Sequence, residues 1–222
     1  MTKKSIILLG KEEKKLLLSV IEELLEINLI DEIIIVTDDP AIQISFNKNG
    51  VEIKTVLQEE KGYGAAIKTG YKFVKNDFAF IFNGDGSFDP KSIGEMIECA
   101  KNSDFIFCSR YHDDAGSEDD TIVTLIGNKI FSFLGKVLFG LDINDILYTY
   151  VLCNVKKFND LNLKNNDFRL CVELPILIKK NGFTYTMLPS RERSRKSGIK
   201  KVNAIKDGSL ILLEMIKQFL KK

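Results

Sequence analysis

"FAFIFNGDGSFDP", residues 78–90, is an apolar run that stops on an acidic turn, with Asp85 held between Gly84 and Gly86. The aromatic and β-branched letters before Asn83 read as a buried strand, so Asp85 falls just past a strand's carboxyl end. In open α/β sheets that is where ligands bind. Flanking glycines let a backbone approach a bulky ligand, and a carboxylate on a rigid strand end can take a hard divalent cation through oxygen. A phosphate-bridging Mg²⁺ or Mn²⁺ suits such a place. Asn-Gly and Asp-Gly are also common turn dipeptides, so the same letters describe a plain tight turn until their surroundings are read.

Working outward, short β-branched or aromatic runs alternate with segments of helical periodicity. "SIILL" (5–9), "EIIIVT" (32–37), "VEIKTV" (51–56), residues 77–82 and "DFIFCS" (104–109) read as strands. Helices are expected over 14–27, between the second and third strands, over about 64–75 and after Pro90, giving the order β-α-β-α-β-α-β-turn-α-β. This pattern predicts an α/β domain with a mixed, mostly parallel sheet flanked by helices. After Arg110 the acidic loop "HDDAGSEDD" leads into a long amphipathic segment from Ile122 to Leu141, and simple alternation ends. A single domain is expected over 1–222, with a nucleotide-side half (1–110), an acceptor-side half (111–203) and a C-terminal amphipathic helix (204–222).

A chain of 222 residues with 45% hydrophobic content buries a proper core. With 32 Lys and Arg against 31 Asp and Glu, the +1 net charge gives no field for gathering nucleic acid. Cys99, Cys108, Cys153 and Cys171 are widely spaced without a CxxC pair and read as reduced core residues of a cytoplasmic protein. The apolar stretch from Ser5 to Leu9 is too short for an export signal. No uninterrupted apolar run approaches the roughly 20 residues that cross a bilayer.

"GYGAAIKTGYKF" begins at Gly62, upstream of the Asp85 strand. Gly62 and Gly64 precede a helix start, where backbone N–H groups and the dipole suit an anion. Together, "GYGAAIKTG" and "NGDGSFDP" resemble the family 2 glycosyltransferases of the GT-A fold. Within them they are similar to the dolichol-phosphate mannose synthase branch, where a "GxGAAxxxG" helix precedes a "DADGxxDP" turn. The likeness runs on in order. "CSRY" (108–111) resembles the family's "GSR" element and supplies Arg110; "GLDIND" (140–145) supplies Asp145; "FRLCVELPILIKKNGF" resembles the "F-x-x-E" helix with Glu173. "LPSRERSRKSGIKKVNAIKDG" is similar to the tail "VPVxYxxRxxGxSKxxxxxDG", supplying Arg193, Arg195, Gly198 and Lys201.

The resemblance implies inverting transfer of a sugar from a nucleoside diphosphate, of GDP-mannose or UDP-hexose type, to an acceptor such as a polyprenyl phosphate. Such a site needs positive charge where the leaving oxygen develops its negative charge. Asp85 would hold Mg²⁺ or Mn²⁺ with Ser87 beside it, and Arg110, Arg193, Arg195 and Lys201 would grip phosphates. For any member of the tail run, a solvated basic surface is an equally good reading. A lipid phosphate is already ionised and needs no strong base, whereas a hydroxyl acceptor needs one, for which Asp145 is the first candidate and a helix or turn cap the alternative role.

Departures from the family pattern bear on the donor and the acceptor. Asn83 replaces the first turn aspartate, removing one anionic oxygen from the nucleotide and metal site, and Asp89 compensates in part. "LLGKEE" and "VTDDPAI" replace the usual "PAYNEE" and "VDDGSTD", leaving Glu12, Asp38 and Asp39 as contacts to base or ribose. "LYTYV" replaces "TSGFR" after Asp145. His112, the sole histidine, has no second ligand at metal-site spacing. The apolar stretches 130–140 and 210–222 suit a helix packed on the sheet, a homodimer contact or a bilayer interface reached from the cytoplasmic side. Two other readings stand beside sugar transfer. A nucleotidyltransferase would show a glycine-rich signature after the first strand, which "LLGKEEKK" lacks, and a non-catalytic nucleotide-sugar-binding relative is favoured by Asn83 and "LYTYV".

Overall fold

Each face of the central strands is buried, which is why they read as continuous apolar runs rather than as alternating ones. In the computed structural model, which describes residues 3–10, 13–113, 115–196 and 203–221, eight strands form one sheet. The first half supplies β1 (Lys4–Leu9), β2 (Glu32–Thr37), β3 (Ser45–Lys48), β4 (Val51–Leu57), β5 (Phe78–Asn83) and β6 (Phe105–Ser109). The second half adds β7 (Val151–Asn154) and β8 (Tyr185–Pro189) to the same sheet. The order is β3-β4-β2-β1-β5-β7-β6-β8. β2 and β5 run parallel to β1, β4 to β2, and β8 to β6; β3 is antiparallel to β4, and β7 is antiparallel to both β5 and β6.

Seven α-helices cover the sheet among the described residues. They are α1 (Lys14–Glu26), α2 (Tyr63–Phe73), α3 (Ile93–Cys99), α4 (Ile122–Phe139), α5 (Val155–Asp160), α6 (Leu170–Lys180) and α7 (Ala204–Leu220). Ile6 and Leu8 of β1 face the cluster built with α1 and α3, while Ile7 and Leu9 face the one built with α2, α5, α6 and α7. On α1 the buried positions Leu17, Val20, Ile21, Leu24 and Leu25 follow helical spacing, as the sequence pattern requires. Gly70 brings α2 hard against β1: a Cβ there would lie 2.3 Å from Ile7 Cγ2. α4 opens on a capping box between Thr121 and Thr124 and closes at Gly140, whose φ of 66° no β-branched residue would adopt cheaply.

The helix expected between the second and third strands is absent. That segment instead forms β3, an edge strand joined to β4 by Asn49 and Gly50, both at positive φ. The Asn-Gly pair is itself a hairpin signal. All four cysteines are free, and burial pushes the Cys153 and Cys171 thiols up to about 12.

Candidate active site

The carboxyl ends of β4, β2, β1 and β5 lie side by side at one level, since Leu9 pairs with both Val36 and Asn83, and Val36 with Val56. Three inter-strand steps make a row about 14 Å long. Gln58, Val36, Leu9, Asn83, Gly84 and Asp85 line a cavity of about 520 Å³ along that row. Its other wall comes from α4, through Val123, Thr124, Gly127, Asn128 and Phe131, and from α7, through Ala204, Gly208 and Ile211. The strand side carries the polar groups of Gln58, Asn83 and Asp85, and the helix side is apolar apart from Thr124 and Asn128.

The two glycines of the opening turn have separate reasons. A Cβ on Gly84 would lie 2.8 Å from the Leu9 carbonyl oxygen, and Gly86 sits at φ +78°. One allows close approach to β1 and the other makes the turn. Between them Asp85 is 9% exposed; its Oδ1 accepts from Ser87 N (3.0 Å) and Ser87 Oγ (2.7 Å), and its Oδ2 lies 3.7 Å from Arg195 Nη1. Mg²⁺ typically takes one or two carboxylates together with substrate phosphates and water. Asp85 fits that limited demand, and among the described residues no group of three or more His, Cys, Asp or Glu could hold a metal by itself. Ser87, expected as a second ligand, is 1% exposed, does not line the cavity, and donates its hydroxyl proton to Asp85 Oδ1.

Arg110, just past β6, is the most heavily engaged cation of the site. Its Nε and backbone N donate to Asp145 Oδ2 (2.9 and 2.8 Å), Nη2 to Asp145 Oδ1 (2.8 Å), and Nη1 to Glu192 Oε2 (3.1 Å). The guanidinium carbon stands 4.7 Å from the Tyr148 ring centre. Burial works against its charge, but the Asp145 bonds outweigh it and raise its pKa further above the usual range. Asp145 also accepts from Asn128 Nδ2, and its side chain is 0% exposed. Both oxygens of Asp145, the expected general base, accept from Arg110, and Asp145 does not line the cavity.

The tail after β8 crosses the turn. Arg193 N donates to Ser87 O (2.8 Å) and Lys196 N to Asp85 O (2.9 Å), while Glu192 bridges to both Phe88 and Ser117. Arg195 enters the cavity wall and binds Asp119 (Nη2 to Oδ2, 2.8 Å). Arg193 does not: its guanidinium turns to Glu23 of α1 and to the Phe88 carbonyl (2.7 Å), so it ties the tail to the fold instead of gripping phosphate. Lys201, Gly198 and Glu12 lie outside the described residues.

Gly62 and Gly64 also have a structural cause. At Gly62, with φ +121°, a Cβ would lie 2.1 Å from Asn166 O, and at Gly64 it would lie 2.6 Å from Asn165 O. They let α2 dock on the loop before α6, and only Gly62 reaches the cavity lining. Asp38 and Asp39 sit on the exposed loop after β2, outside that lining; the Asp39 carboxylate accepts from Ala41 N (2.9 Å). Asn83 does line the cavity, and its Oδ1 accepts from Tyr63 Oη (3.3 Å). Glu173 accepts from the backbone N of Lys164 and of Asn165 (2.9 Å each) and so shapes the same loop.

Sequence reading passed over Glu192, Asn128, Asp119 and Asp120. A signal existed for Glu192, which stands where the quoted family tail has tyrosine, an acid within a basic run. The others are recognisable only once α4 and its preceding loop are placed over the strand ends.

Known proteins carry a comparable architecture. A mannosyl-3-phosphoglycerate synthase from Rubrobacter xylanophilus superposes with a TM-score of 0.68 at 13% identity, over 99% of this chain and 73% of that one. The glucosyl-3-phosphoglycerate synthase of Mycobacterium tuberculosis, solved with Mn²⁺, UDP-glucose and phosphoglyceric acid, gives 0.71 at 12% identity, over 98% and 80%. The fold is that of the GT-A glycosyltransferases. In sequence, a 2-phospho-L-lactate guanylyltransferase of Methanocaldococcus jannaschii is 29% identical over 106 residues, 47% of each chain, so the match spans about half of that relative. Residues 5–161, from β1 through α5 and including the Asp85 turn, Arg110 and Asp145, match the glycosyl transferase family 2 model, and the chain belongs to that family.

Proposed function

We propose that this protein transfers a sugar, with inversion, from a nucleoside-diphosphate sugar to an amphipathic acceptor, working at the cytoplasmic face of a membrane. The observation that carries this reading is the single cavity that joins the Asp85 turn to an apolar wall from α4 and α7. The donor would lie along the strand ends, and its diphosphate would reach Asp85. There a bound Mg²⁺ or Mn²⁺, as in the M. tuberculosis relative with UDP, would neutralise the leaving group's charge. Arg195 stands at the same carboxylate and Arg110 deeper in the wall, both positioned to meet phosphate oxygens. A nucleotide of GDP-mannose or UDP-hexose type suits the row, and a polyprenyl phosphate, as in the dolichol-phosphate mannose synthase branch, is one acceptor with the right apolar body.

The outer faces of α4 and α7 support the membrane part. Ile122, Ile126, Ile130, Phe133 and Val137 form an exposed stripe on α4, and Ile205, Leu212, Leu213, Ile216, Phe219 and Leu220 do so on α7. Such a surface marks an interaction site. By length and composition α4, with a mean hydropathy of 1.6, meets the test for a membrane span, which qualifies the expectation drawn from uninterrupted apolar runs. Its other face packs on α7 and lines the cavity, so it suits lying in the interface better than crossing it. The protein is expected to float with lipid vesicles in a density gradient; a dimer in light scattering without flotation would make a second copy the cover for this face.

The guanylyltransferase match favours a second reading, nucleotidyl transfer, and one experiment separates the two. Thermal melting is measured with UDP, GDP, UTP, GTP and their sugars, with and without Mn²⁺, and the products are then identified. At 100 times Kd a ligand of the native state adds about 2.7 kcal/mol of stability. Release of nucleoside diphosphate from a nucleotide sugar supports sugar transfer, and release of pyrophosphate from a triphosphate supports the alternative. Binding without turnover leaves the non-catalytic relative, and no shift with any nucleotide at millimolar concentration removes the donor site.

A further inference from the structure

We propose that Glu192 is the general base of this site and that the acceptor group it activates is a neutral hydroxyl; the inference rests on the sugar-transfer reading. The other carboxylates near the cavity are committed. Asp145 is sealed against Arg110 and Asn128, Asp119 is bound by Arg195, and Asp120 accepts from Tyr111 Oη, Thr124 Oγ1 and Thr121 N. Asp85 is oriented by Ser87 on the donor's phosphate side.

Apart from Asp85, whose hydrogen bonds from Ser87 both fall on Oδ1, Glu192 alone of these is held at one oxygen only. It lines the cavity and is 7% exposed. Its backbone is fixed on both sides, N donating to Gly116 O (3.1 Å) and O accepting from Glu118 N (2.9 Å). Oε2 accepts from Arg110 Nη1 (3.1 Å) and from Ser117 Oγ, while Oε1 accepts no hydrogen bond among the described residues. A base oriented by a third group, with a second atom left for the substrate's proton, is the arrangement that proton abstraction requires. Among the described residues that line the cavity, Glu192 stands with Asp85, Asp119 and Asp120 beside Arg110 and Arg195.

In the step, the acceptor O–H bond breaks and its proton passes to Glu192 Oε1. The acceptor oxygen bonds to the anomeric carbon, and the bond from that carbon to the diphosphate breaks, its electron pair leaving with the nucleoside diphosphate. Glu192 then returns the proton to solvent.

The test compares wild type, Glu192→Gln and Glu192→Asp with UDP-glucose and GDP-mannose as donors and Mn²⁺ present. The nucleophiles are octyl glucoside (a neutral hydroxyl), farnesyl phosphate and azide (both already ionised). Glu192→Gln should lower kcat with octyl glucoside at least about 100-fold. Its donor Kd should stay at the wild-type value and transfer to azide within a few-fold, the thermal midpoint falling as Arg110 Nη1 loses its charged acceptor, while Glu192→Asp recovers part of the rate. An equal loss with azide would make Glu192 a support for Arg110 and overturn the proposal. Wild-type transfer to farnesyl phosphate but not to octyl glucoside would overturn it too, leaving sugar transfer standing. Donor binding with no transfer to any nucleophile would remove both.

Discussion

Arg110→Ala is expected to destabilise the fold by about 3–5 kcal/mol, because it leaves the Asp145 carboxylate buried without its charge partner. For a domain of this size that lowers the melting temperature by roughly 6–20 °C. The geometry sets the scale. Asp145 is 0% exposed at its side chain, and three of the bonds that satisfy it come from Arg110. The backbone N–H survives the substitution, but the paired Nε and Nη2 bonds do not. Arg110→Lys keeps a charge and loses the two-pronged geometry, so it should fall between alanine and wild type. The double variant Arg110→Met with Asp145→Leu should be more stable than either single charge deletion, since the fully buried Asp145 charge goes with its partner and only Glu192 loses a contact. Denaturant titration of wild type, Arg110→Met, Asp145→Leu and the double variant gives the cycle. A cost under 1 kcal/mol for Arg110→Ala would mean that water reaches Asp145 and that the pair behaves like a surface ion pair.

That pair also shows where sequence reading stops. The strands that build the donor row are recognisable because each is a local apolar run, and Asp85 is recognisable because it follows one of them directly. Burial by periodicity says that a residue is inside, but it does not say which group it meets. Asp145 reads as an acid near a helix end, and nothing local reveals that a guanidinium 35 positions earlier closes on it. The tail is subject to the same limit. Arg193, Arg195 and Lys196 look alike as a basic run, yet the first faces Glu23 across 170 positions and the second faces Asp119 and Asp85. In the sheet, β7 enters between β5 and β6 although it comes later in the chain, and a four-residue strand carries too little pattern to announce a non-local antiparallel insertion. The glycines were legible as close-approach positions, but their partners are the loop before α6 and β1, which no spacing rule identifies.

Asp85→Asn should abolish the Mn²⁺-dependent part of the nucleotide's thermal stabilisation and lower turnover by about 2.7–4 kcal/mol of transition-state stabilisation, while leaving the fold intact. The fold should hold because an asparagine Oδ1 still accepts from Ser87 N and Oγ, the bonds that shape the turn. The charge pair that is lost, with Arg195 at 3.7 Å, is partly open to solvent and contributes about 0–1 kcal/mol. What does not survive is the anionic oxygen. Asn83 already stands where the family pattern has an acid, so Asp85 is the only carboxylate between residues 83 and 88, and an amide there cannot hold a hard cation against water. Arg195, released from Asp85, could still contact a diphosphate, so nucleotide binding without metal should persist or tighten slightly. That separation is the informative outcome: metal response gone, metal-free binding kept, turnover collapsed. If Mn²⁺ still raises the melting point of the nucleotide-bound variant by the wild-type amount, the cation sits elsewhere in the cavity. The turn that ends β5 would then serve shape alone.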